Sequence, residues 1–189
     1  MDVSLMAALG KAGAAMAIAM AAVGSALGAG TAGMTAAGAW KKCFAQKKSA
    51  PFLLLIFIGA PLSQTIYGMI LMQATLKLCS LATYVPAETM SAAMAADPVN
   101  WMAKLDPAVL QSATEALRIA VSNWPAMISA MFLGGIAMGI SAWYQGKAGA
   151  ACADALAETG QGFGNYLMTI GIVETVALFV LVFIQAAIK

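Results

Sequence analysis

The chain has no histidine and little charge of either sign. Ten Lys and Arg and eight Asp and Glu make up 10% of its 189 residues, where a soluble domain carries about 25%. Without imidazole, His-based acid–base catalysis and most transition-metal sites are disfavoured. The net charge of +2 is too small to indicate nucleic-acid binding. Cysteine is scarce as well: Cys43, Cys79 and Cys152 lie far apart without CxxC spacing, so each reads as small apolar filler. No GxxxxGK[ST] phosphate loop occurs, and the chain reads as a non-enzyme. The acidic Met1-Asp2 start and the long apolar stretch behind it do not read as a signal peptide.

What is present is apolar: 62% of the residues are hydrophobic. Uncharged runs span Ala12 to Trp40, Pro51 to Leu76 and Pro125 to Tyr144, the last continuing past Gln145, and a fourth apolar run spans Phe163 to Ile188. Crossing a bilayer takes roughly 20 residues, and in lipid the backbone must satisfy its own hydrogen bonds. The expectation is an all-α membrane protein with four transmembrane helices. A short polar link, Lys41 to Ala50, joins the first two runs, and Thr159-Gly160-Gln161-Gly162 turns between the last two. Two helical hairpins follow, 1–83 and 125–189, separated by a spacer, 84–124. Each half passes from a small-residue helix to a bulkier one with polar groups at mid-depth, which suggests internal duplication.

The first link carries Lys41, Lys42, Lys47 and Lys48. Short Lys-rich loops stay cytoplasmic, which puts both links inside and both termini and the spacer outside. In the spacer, Asp97-Pro98 and Asp106-Pro107 each read as an N-cap followed by proline at the first helical position. One or two short helices at the outer surface are expected, with Leu110, Ala113, Leu117 and Val121 on one face and Trp101 and Trp124 at the interface.

Gly24, Gly28, Gly30 and Gly33 on the first helix, and Gly135 and Gly139 on the third, are candidates for close helix packing. On this motif alone, ordinary packing within one bundle accounts for them better than an inner position in an assembly does.

Glu174 is the only charged residue in the last run before Lys189. An ionised carboxylate at mid-depth is costly unless compensated, and such a residue is functional by default. Its partner has to come from outside the segment. The hairpin turn that would set Gln145 level with Glu174 falls between Thr159 and Gly160, where the two glycines predict it. Ser63, Gln64 and Tyr67 on the second helix lie deep as well, just past Pro61, which frees a carbonyl one turn earlier. With Thr175, the set offers one carboxylate, two amides, two hydroxyls and a phenol. Oxygen donors with one negative charge suit a monovalent cation such as Na⁺. The same carboxylate could take up a proton instead, because burial disfavours its charged form. Taken singly, Ser63 or Thr175 reads as a hydroxyl bonded to its own helix, and either glutamine reads equally as interhelical glue or as a functional group.

The glycine-rich first helix, "PLSQTIYG", "YQGKAGAA" and "VETVAL" together resemble the proteolipid of V-type ATPases, the duplicated c-type rotor subunit known as subunit K in bacterial V/A-type enzymes. The resemblance covers roughly residues 12–81 and 125–188. It implies a homo-oligomeric ring in the bacterial plasma membrane, lined on its inside by the first helix. The hairpin links would meet central-stalk subunits, and ions would exchange through a membrane stator subunit. Each copy would carry Na⁺ or H⁺ at Glu174, with Ser63, Gln64 and Gln145 as further Na⁺ ligands and Tyr67 nearby. Catalysis would belong to a separate soluble head. Two departures stand out: Ser63 occupies a place where sodium-type members often have Thr, and the spacer is longer than the family's usual link. A small ion-coupled secondary transporter using Glu174 as its coupling carboxylate is the alternative, and a purely structural membrane protein a third reading.

Overall fold

A computed structural model describes residues 2–188, and every described element is helical. Four helices are long and apolar enough to cross a membrane. The first, α1 (Val3–Ala45), extends the expected run at both ends and takes Lys11, Lys41 and Lys42 into the helix. Its alanine-rich sequence explains this, alanine being the best helix former. The second crossing is α2 (Leu54–Gly59), a 3₁₀ turn (Ala60–Leu62) and α3 (Ser63–Leu78). The second pair is α6 (Trp124–Thr159) and α7 (Phe163–Ala187).

The first link is shorter than expected, because α1 runs on through Ala45. Lys47 turns the chain at φ 54°, and the Trp40 indole donates to the Pro51 carbonyl at 2.8 Å. The second turn lies where the glycines place it: Gly160 ends α6 at φ 68° and Gly162 precedes α7 at φ 82°, values that a residue with a Cβ adopts only under strain.

The two hairpins join through α1 and α6, which form the largest interhelical contact in the bundle. Glycine makes that contact possible. A Cβ on Gly24 would strike the Gly139 backbone, and one on Gly28 the Ala142 carbonyl. One on Gly135 would lie 2.8 Å from the Ala17 carbonyl oxygen, and one on Gly139 2.6 Å from that of Met20. Gly30 meets nothing within 4 Å and Gly33 only Ile58 at 3.8 Å, so these two take no part in close packing within the chain. The other two crossings flank the glycine seam. Phe57 and Leu54 of α2 fill one end with Ile170 and Leu156, and Leu71, Met131, Met138 and Ala177 fill the middle. All three cysteines are buried and free, with Cys79 against Gly10.

The spacer departs from expectation. Its first helix, α4 (Ala87–Ala96), ends at Asp97 rather than starting there. The Asp97 carboxylate accepts from the Val99 and Asn100 amides at 3.1 and 3.0 Å, forming a turn that leads only to a 3₁₀ segment, Trp101–Lys104. The Asn100 amide is the main cause holding the Asp97 carboxyl below the usual carboxylate range. Asp106 does cap a helix, α5 (Pro107–Val121), by accepting from Ala108 at 2.7 Å. Leu117 and Val121 of α5 settle on Met6 and Ala7 of α1, Cys79 and Met127. Trp101 packs inside the spacer's own small cluster with Val85, Ala93, Leu105 and Ala113, and Trp124 packs against the α5–α1 cluster.

The seam predicts a contrast between glycines. Gly24→Ala should destabilise the folded chain by at least about 2 kcal/mol, because backbone has to shift. Gly30→Ala should be neutral or gain up to about 1 kcal/mol of helix propensity. Unfolding of detergent-solubilised protein by sodium dodecyl sulfate measures both.

Candidate functional site

Five polar side chains from three crossings meet midway along the bundle. The Tyr67 hydroxyl donates to Glu174 Oε1 at 2.5 Å. The Gln145 amide Nε2 donates to Glu174 Oε2 at 3.4 Å and to the Ile170 carbonyl at 3.2 Å. Gln64 Nε2 donates to Gln145 Oε1 at 2.8 Å. Ser63 Oγ lies 2.9 Å from the Ala60 carbonyl and 3.2 Å from Gln64 Oε1, so its single proton is shared between them. Gln64 and Gln145 are fully buried. Glu174 is half-buried, at the margin of the single chain, on the helix that buries least of itself.

Local structure explains why these groups converge. The short turn and unbroken helices bring Gln145 and Glu174 to one height, as the sequence predicts. Pro61 has no N–H for the Phe57 carbonyl, and the crossing tightens into the 3₁₀ turn there. Gly149 of α6 accommodates that carbonyl: a Cβ at 149 would lie 2.9 Å from the Phe57 oxygen. The turn opens directly onto Ser63 and Gln64.

Thr175 is the exception. Its hydroxyl bonds to the Ile172 carbonyl of its own helix at 2.7 Å and is exposed, so it stands outside the cluster. Successive helical residues do not share a face, and Glu174 takes the inward one. Two serines join the region instead. Ser141 donates to the Val173 carbonyl at 3.1 Å; its spacing of one turn from Gln145 was the available signal. Ser25 on α1 is 2% exposed, and no sequence signal beyond a lone hydroxyl among glycines marked it.

Among the described residues, no cation of the protein offsets Glu174. Neither ion pair includes it: these are Lys42–Glu158 at 3.0 Å and Arg118–Glu115 at 3.4 Å, both exposed. Lys147, two residues past Gln145, points outward, with its ammonium 4.1 Å from the Trp143 ring centroid. The carboxyl group is held by two neutral donors, Tyr67 and Gln145. Among the described residues no cluster of three or more His, Cys, Asp or Glu could hold a metal ion. What the arrangement offers is carbonyl, hydroxyl and carboxylate oxygen for a cation of single charge, or one acid for a proton. The Gln145 oxygen accepts one N–H from Gln64, which leaves its second lone pair for a cation.

Residues 128–184 match the family model of the ATP synthase C-subunit. That stretch covers most of α6 and α7, including Gln145 and Glu174. The first hairpin and the spacer lie outside the match. Comparison with curated proteins and with solved structures gave no match.

The two amides act as a chain, and their loss should differ from that of a simple hydroxyl. Gln145→Ala leaves the buried Gln64 N–H without its acceptor and should destabilise by about 1–3 kcal/mol. Ser141→Ala should cost about 1 kcal/mol or less. Both are measured by unfolding in mixed detergent.

Proposed function

We propose that the chain is the rotor-ring subunit of an ion-translocating rotary ATPase, and that each copy carries one monovalent cation at Glu174. The observation that carries this reading is the lone carboxylate without a protein counter-cation among the described residues. It sits at mid-height beside two buried amides, in the segment similar to the ATP synthase C-subunit. Its place at the margin of the chain suits a group that has to meet a second copy or a stator from the side. The chain itself is not an enzyme in this reading; ATP chemistry belongs to partner subunits.

The finer assignment is a V-type subunit K in a bacterial plasma membrane, with the hairpin links cytoplasmic and the termini and spacer outside. Two hairpins in one chain support the V-type form over a single-hairpin rotor protein, and Lys41, Lys42, Lys47 and Lys48 support the orientation. Na⁺ is favoured over H⁺ because Ser63, Gln64 and Gln145 add oxygen donors that a proton does not need. Partners are further copies of the chain, a membrane stator subunit, central-stalk subunits and lipid. A second reading, a small secondary transporter with Glu174 as coupling carboxylate, draws on the 3₁₀ break beside the cluster, since transporters often break helices at their binding sites. A stable high-order homo-oligomer in detergent favours the ring; a monomer or dimer favours the transporter.

Glu174→Gln should abolish ion-coupled ATPase activity in the assembled complex while the ring still forms; retained coupling overturns the assignment. Gln145→Ala should raise the Na⁺ concentration that protects Glu174 from dicyclohexylcarbodiimide by about tenfold or more, the loss of one oxygen ligand and its buried partner. Unchanged protection counts against the sodium site.

A further inference from the structure

Ser25 Oγ is the one buried side-chain N or O atom, among the described residues, without a hydrogen-bond partner. Other helical hydroxyls bond to their own backbone one turn back: Thr31 to Leu27, Thr35 to Thr31, Thr75 to Leu71 and Ser129 to Pro125. Ser25 does not, although it is 2% exposed. A buried hydroxyl left unpaired is costly, and a buried water is a common way of satisfying such a group.

The packing says what Ser25 faces. One turn before it, Ala21 touches Gly68, whose Cβ would lie 2.9 Å from that of Ala21. One turn after it, Gly28 faces Pro61 at the same distance. Gln64 is one turn from Gly68 and about one from Pro61, and shares the buried face of its crossing with Gly68. Ser25 and Gln64 therefore oppose each other across the α1–α3 contact. On the α6 side, Gly24 against Gly139 and Gly28 against Ala142 bracket Ser25 at the height of Ser141. Gln64 has an unused group of its own. Its Nε2 carries two N–H bonds, and one goes to Gln145. The other has no acceptor among the described residues.

We propose that Ser25 is a positioning residue of the cation site, and that one buried water bridges its Oγ to the second N–H of Gln64. The bridge gives the Gln64 nitrogen a second partner beside Gln145 Oε1 and so steadies the amide against the cation. Gln145 and Ser63 already set which end of this amide is which, and the water adds a restraint from the first helix. The first helix, which contributes no other side chain to the cluster, thereby helps hold a ligand on the second crossing in place. This inference rests on the reading of Glu174, Gln64 and Gln145 as a cation site.

The test uses the purified intact assembly, Na⁺ as the probe and dicyclohexylcarbodiimide labelling of Glu174 as the readout. Ser25→Ala should leave the labelling rate without Na⁺ unchanged, because Ser25 does not touch Glu174. It should raise the half-protecting Na⁺ concentration about five- to tenfold, the worth of one buried hydrogen bond. Ser25→Gly leaves room for a second water and should lose less affinity than Ser25→Ala; loss of packing alone would give the opposite order. An unchanged half-protecting concentration in Ser25→Ala, a changed labelling rate without Na⁺, or an equal or larger loss in Ser25→Gly overturns the water bridge. Absence of Na⁺ protection in the unaltered assembly instead overturns the sodium reading itself, and this inference falls with it.

Discussion

Where α1 and α6 touch backbone to backbone, at Gly24 against Gly139 and Gly28 against Gly146, no side chain holds the two helices apart. In lipid that closeness has to come from packing, since hydrocarbon provides no hydrophobic drive between helices. It fixes the height and rotation of α6 relative to α1, and the remaining crossings settle in the grooves beside the pair. Gln64 can then reach Gln145, and Gln145 can reach Glu174. Polar groups from three crossings converge because two glycine-bearing helices lie almost in backbone contact.

The converged groups hold Glu174 in an unusual balance. A charged acid in an apolar setting is commonly paired with Lys or Arg. Here the nearest lysine along α6, Lys147, is turned outward onto Trp143, and the donors to the carboxylate are a phenol and an amide. Neutral donors steady a carboxylate without cancelling it. Among the described residues no ammonium stands beside Glu174.

Much of this was legible in the sequence wherever regular geometry carries across a tight turn. The two glycines at 160 and 162 fix a short connection, so counting outward from it brings Gln145 opposite Glu174. The same counting about the first link places Gln64 deep. Counting could not show that α1 and α6 form the central pair, because no turn joins them and glycines do not announce their partner. Thr175 was misplaced by its nearness in sequence to Glu174, although adjacent helical residues point about 100° apart. In the spacer, Asp97-Pro98 carried the signs of a helix start, but the Asp97 carboxylate closes a local turn onto Val99 and Asn100 that leads only to a 3₁₀ segment. The alanine-rich stretch before it, with no proline or strong apolar period inside it, became α4.

At about 1.5 Å per residue, the 43 residues of α1 measure about 65 Å and the 36 of α6 about 54 Å, against a hydrocarbon thickness of about 30 Å. The central pair is thus longer than any bilayer needs, while the outer crossings, at 25 residues each, are not. Near the hairpin links the excess length is crossed by the Lys42–Glu158 contact, and at the opposite end α5 lies over Met6 and Ala7. A force applied at the links therefore meets two continuous parallel rods rather than a loop. Glu174 rides beside these rods on α7, which joins α6 through the glycine turn, so such a force would reach it through the packed side of α6.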